Sequence, residues 1–82
     1  MDALKFSSDV KEHSRFDEIR KLLDGFTAYV EYRSNELVLR DLPWENLCTL
    51  VERISTTVIR ISYAKRYFKD RYFVVLQGFN VE

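Results

Sequence analysis

Two residues in the chain are of types that can do chemistry on their own, His13 and Cys48, and each is the single residue of its kind. Glu12 adjoins His13, and Asp9 and Asp17 lie four positions to either side. Such a group invites a metal or proton-transfer reading. A lone imidazole has no second ligand at a recognised spacing, however, so His13 reads as a solvated residue near a helix start. Cys48 falls near an expected helix N-terminus, where the dipole favours thiolate. The sequence places no base beside it, and it sits just outside the apolar face of Leu47 and Val51, so it reads as a half-buried packing residue. Asp17, Glu18, Glu45 and Glu52 read as capping and solvated-face charges. The two glycines, Gly25 and Gly78, form neither a GxxxxGK[ST] loop nor a GxGxxG turn, so no phosphate cradle is expected. The expectation is no catalytic residue, no metal, no cofactor and no enzyme.

Binding is the chemistry that remains. The stretch "ISYAKRYFKDRYFVVLQGF" (61–79) interleaves aromatic with basic residues. Residues 53–71 carry Arg53, Arg60, Lys65, Arg66, Lys69 and Arg71 against Asp70 alone, although the net charge of the whole chain is zero. Tyrosine and arginine are enriched at binding hot spots. Arg53, Arg60, Tyr63, Arg66, Tyr67, Lys69 and Arg71 are therefore the expected partner-binding residues.

The elements that position them follow from periodicity and punctuation. "ALKFSS" (3–8) alternates and reads as a short strand. "SRFDEIRKLLDG" reads as a helix, with Ser14 as N-cap, Asp17 at the capping-box position, and Gly25 as the left-handed stop. Its start is blurred, because "SSDVKEH" could open the helix from Ser8. "FTAYVEYR" (26–33) and "ELVLRDL" (36–42) read as strands joined by a tight turn at Ser34-Asn35. Pro43 marks the first turn of a second helix. Beyond it, Leu47, Val51, Ile54, Val58, Ile61 and Phe68 keep one helical phase, so one helix from Pro43 to about Phe68 is expected. The β-branched run "TTVIRIS" favours the alternative, in which the helix ends near Ser55 and a hairpin follows. "RYFVVLQGF" (71–79) closes the chain as a strand. "FDEIRKLLD" echoes "WENLCTLVE" 28 residues later, as two amphipathic helices on one sheet would.

This order, β-α-β-β-α-β, predicts a single α+β domain over 1–82, a ferredoxin-like two-layer sandwich with two helices on one face of an antiparallel sheet. The alternative is αββαββ. In the long helix, Tyr63 and Tyr67 point away from the apolar row on the side of Arg53 and Arg60. One cysteine permits no internal disulfide, no leader-like segment is recognisable, and apolar runs are too short to cross a bilayer. A soluble, cytoplasmic protein without membrane contact is the expectation.

Two partner classes fit. A small non-enzymatic domain could act as regulator, adaptor or inhibitor by binding another protein, or a second copy of itself as a dimer, through the Tyr/Arg face or a sheet edge. RNA or single-stranded nucleic acid could instead engage the basic-aromatic segment 60–73. Against it, "ELVLRDL" supplies no aromatic to a central strand, and neutral net charge provides little steering.

Overall fold

The computed structural model describes residues 4–79. A short strand β1 (Leu4–Phe6) leads into a single helical turn α1 (Ser8–Lys11) and helix α2 (Phe16–Leu22). The hairpin β2 (Ala28–Arg33) and β3 (Glu36–Pro43) follows, then helix α3 (Trp44–Ile54) and the hairpin β4 (Arg60–Phe68) and β5 (Arg71–Gln77). The strands form one sheet in the order β1-β2-β3-β5-β4. β1 runs parallel to β2, and every other neighbouring pair is antiparallel.

The class is α+β, but the ferredoxin-like order does not hold. After β1 the chain follows the αββαββ alternative, with five strands in a mixed sheet. The long helix from Pro43 to Phe68 is replaced by a helix ending at Ile54 and a strand from Arg60. Hydroxyls end the helix: Ser55 Oγ donates to the Glu52 carbonyl (2.8 Å) and Thr57 Oγ1 to the Ile54 carbonyl (2.9 Å). These local bonds compete with helix continuation, and the β-branched residues that follow prefer extended backbone. The shared helical phase breaks down there. Leu47, Leu50 and Ile54 are buried, whereas Val58 and Phe68 are exposed.

The first helix also divides. Ser7 takes the N-cap position of α1, and Arg15, not Ser14, precedes α2. The break is stitched by the Arg15 N–H, which donates to His13 Nδ1 at 3.0 Å. Ser34 and Asn35 both adopt positive φ, 51° and 67°, which is the tight hairpin turn expected of them. Gly25 has φ +86° at the expected helix stop. β1 covers Leu4–Phe6 of the anticipated 3–8, and Ala3 lies outside the described residues.

One face of the sheet is covered. Val30, Leu37, Leu39, Val74 and Leu76 pack there with Val10, Ile19 and Leu23 beneath the first two helices, and with Leu47, Leu50 and Ile54 of α3. Among the described residues no helix covers the other face. Arg15 fastens the chain end to α2: its guanidinium donates to the Gly78 carbonyl (2.8 Å), lies over the Phe79 ring, and pairs with Glu18 at 2.9 Å.

The Arg15 bond holds the Glu18 carboxyl below its ordinary pKa of 4.5. A lowered folded-state pKa contributes stability above the unfolded value that is lost as pH falls through the folded one. The advantage of the parent over Glu18→Gln in thermal unfolding should therefore be present near neutrality and shrink below about pH 4.5. It should be small, because Glu18 is half exposed. A difference that grows on acidification would contradict the pairing.

Gly78 has φ +114°, and a Cβ there would stand 2.9 Å from the Ile59 Cα. The chain leaving β5 thus passes directly against the lead-in to β4. Both the close approach and the left-handed backbone oppose any side chain. Gly78→Ala should lose about 1–3 kcal/mol, read by denaturant unfolding, and an unchanged midpoint would contradict the close approach.

Candidate binding surface on the open face of the sheet

Alternation along each strand decides what the uncovered face displays. On β2, Ala28 and Val30 are buried beneath the helices, so Tyr29 and Glu31 point the other way. On β5 the residues directed to the helices are Tyr72, Val74 and Leu76, leaving Phe73 and Val75 on the open side. Tyr63 lies opposite Val75 and Lys65 opposite Phe73, so these two β4 side chains share that side. Tyr29, Arg40, Asp41, Tyr63, Lys65, Tyr67 and Phe73 together line a concavity of about 580 Å³.

Besides a register shift between Ile61 and Tyr63, two irregularities shape its end at Asp41 and Tyr67. The β3–β5 register shifts between Leu39 and Leu42, where Asp41 adopts φ +64°. That bulge returns Leu42 to the core while presenting Asp41 at the rim. A second bulge lies between Arg66 and Phe68, at Tyr67. The Tyr67 hydroxyl reaches across β5 and donates to Asp41 Oδ1. This bond, more than desolvation or the charge of Asp41 itself, raises the Tyr67 phenol above its ordinary pKa. Tyr67 therefore stays a neutral donor on this surface.

The floor is ring-rich but not bare. The Arg40 guanidinium lies 5.4 Å from the Phe73 centroid, and its Nε donates to Glu31 at 3.2 Å. Tyr63 meets Phe73 edge-to-face at 6.0 Å. The arrangement thus offers ring faces and edges, a fixed guanidinium, a carboxylate and the Lys65 ammonium. Such groups can stack, donate, accept and pair charge.

Only part of the expected set is gathered here. Tyr63 and Tyr67 line the concavity, from a strand and not from the outward side of a helix. Arg71 begins β5 with its guanidinium 3.9 Å from Asp70. Lys69 sits in the β4–β5 turn, its ammonium over Phe68. Arg60 lines a separate recess with Ser34, Asn35, Glu36 and Gln77. Arg66, opposite Tyr72 in register, points to the helix side. Arg53 belongs to the scaffold: it donates to the Leu22 and Asp24 carbonyls at 2.8 and 2.9 Å and lies over Phe26. Tyr29, Arg40 and Asp41 were not anticipated at the site, and Lys65 and Phe73 only as part of the basic-aromatic segment 60–73 of the nucleic-acid alternative. A strand period of two sets Tyr29 apart from Ala28 and Val30, and Phe73 apart from Tyr72 and Val74, but the apolar runs in "AYVEYR" and "RYFVV" do not mark which side is open; nothing local announced the Asp41 bulge.

The two reactive side chains lie elsewhere. Cys48 is exposed, not half-buried, because the sheet beneath its flank of α3 is the uncovered margin of β4. His13 is half-buried, not solvated, with its ring 4.5 Å from that of Tyr32. No group of three metal-ligating side chains converges among the described residues, and no helix there is long and apolar enough to cross a membrane.

No protein-family model matches the chain, and no curated protein or solved structure matches it either. Function is therefore argued from geometry alone.

Proposed function

We propose that the domain is a non-enzymatic protein-binding module, acting as a regulator, adaptor or inhibitor through the open face of its sheet. One observation carries the reading: Tyr29, Tyr63, Tyr67 and Phe73 converge from three strands on one concavity that also holds Arg40 and Asp41. Rings with few rotatable bonds, set around a fixed guanidinium, are the anchors that protein interfaces favour. Mixed charge supports a protein over a polyanion. Glu31 neutralises Arg40, Asp41 stands at the rim, and Arg40 already covers the Phe73 ring on which a base would stack. The setting proposed is the cytoplasm, where an exposed thiol such as Cys48 stays reduced.

The nucleic-acid reading keeps one specific support. β3 supplies no aromatic to the open face, but its neighbour β5 supplies Phe73, with Tyr63 and Lys65 beside it. Ring residues on a sheet face are how single strands are held. Affinity isolation from a cell extract, with and without nuclease, separates the two. Protein retained after nuclease, and insensitive to moderate salt, supports the module. Material released by nuclease and falling steeply with salt supports the strand binder.

A further inference from the structure

A second surface lies on the opposite, helix-covered side of the sheet, at its margin. β4 is the terminal strand, nine residues long, and pairs with β5 alone in the strand order. α3 packs over β3 and β5, so beyond Ile61, which reaches the core, no described residue covers the helix side of β4. Between them runs a groove of about 380 Å³ lined by Trp44, Leu47, Cys48, Val51, Ile61 and Ala64. Trp44 and Val51 are half exposed along its helical wall.

We infer that β4 accepts an extended, acidic-apolar segment of a partner protein as a sixth strand, laid in the groove between β4 and α3. A free edge supplies main-chain donors and acceptors for strand addition. An added strand alternates its side chains: one set enters the groove over Ala64 and against Val51, while the other lies beside Tyr63 and Lys65. Apolar residues suit the first row.

Charge selects the second. Arg60 and Lys65, on that side of β4, have no ion-pair partner among the described residues, nor has Arg66 on the helix side, and β4 contains no acid. An acidic strand neutralises them. A second copy of this chain pairing β4 with β4 would bring like charges together along both strands, which opposes association. A nucleic acid finds cations at this edge but a groove lined mainly by apolar side chains. The groove lies on the opposite side of the sheet from the open-face concavity, Tyr63 and Lys65 of β4 border both that concavity and the added strand, and protection of Cys48 reports on the groove alone.

The probe is a pool of acetylated peptides of about ten residues, the length needed to span β4. Val, Ile, Leu or Phe alternates with Asp or Glu in every member. Binding should slow hydrogen exchange at β4 amides and slow iodoacetamide alkylation of Cys48 at least about tenfold. Methylating alternate peptide amides, or replacing Asp and Glu by Lys and Arg, should abolish both effects. Val51→Glu, at an exposed position, should weaken the pool at least about tenfold and leave thermal unfolding unchanged. The inference is overturned if millimolar pool protects neither β4 nor Cys48, or if the basic pool protects equally. It is also overturned if β4 protection arises from rising protein concentration without peptide, or from oligouridylate.

Discussion

A variant carrying Tyr63→Ala and Tyr67→Ala should fold normally and lose its partner. Both side chains are about half exposed. Their removal costs the edge-to-face contact with Phe73 and the bond to Asp41, and leaves every core residue in place. The cost to stability should stay near 1 kcal/mol, as for surface positions outside buried networks. Affinity should fall much further. A tyrosine at the centre of an interface contributes ~2 kcal/mol or more, about thirtyfold in the dissociation constant. Adding Arg60→Ala should change little, because Arg60 lines a separate recess. Thermal unfolding and a binding titration on the same preparation check both halves. A variant that folds and binds as the parent does would move the interface off this face.

Leu39→Ala should do the reverse. Leu39 is fully buried at the middle of β3, in register with Val30 on one side and Val74 on the other, both fully buried too. Truncating a leucine in such a place removes transfer energy and leaves a cavity that neighbouring strands cannot close, at about 2–5 kcal/mol. That is a large share of the stability of a domain this small. The side chain points to the helices, so affinity per folded molecule should be unchanged. Denaturant unfolding measures the first effect, and binding at a temperature where the variant is still folded measures the second. Altered affinity in the folded variant would mean that the covered side of the sheet also serves the site.

These two substitutions also mark what could be read from the chain. The β2–β3 hairpin was legible because Ser34-Asn35 tolerates left-handed backbone between two alternating runs, and the start of α3 because Pro43 suits a helix first turn. The end of α3 was legible only as an alternative: the β-branched run "TTVIRIS" pointed to a stop near Ser55, while the apolar phase pointed past it. Val58, Ile61 and Phe68 continue a helical phase by coincidence, and the hydroxyls of Ser55 and Thr57 that break it leave no mark in hydrophobic periodicity. Tyr63 and Tyr67 survived that error for a geometric reason. A spacing of four returns a side chain to one side in both a helix and a strand. Arg53 did not survive, because its place depended on the long helix alone. Asp41 was invisible: its importance comes from a bulge and from a partner 26 residues away.

The central claim is that a protein partner seats on the rings of the open face. Aromatic NMR resonances, followed while the nuclease-treated partner is titrated in, test it most directly. Tyr29, Tyr63, Tyr67 and Phe73 should shift together and saturate together, with Phe26 and Phe79 beneath the helices unmoved. Saturable binding that leaves those four rings unshifted, or that requires nucleic acid, would contradict it.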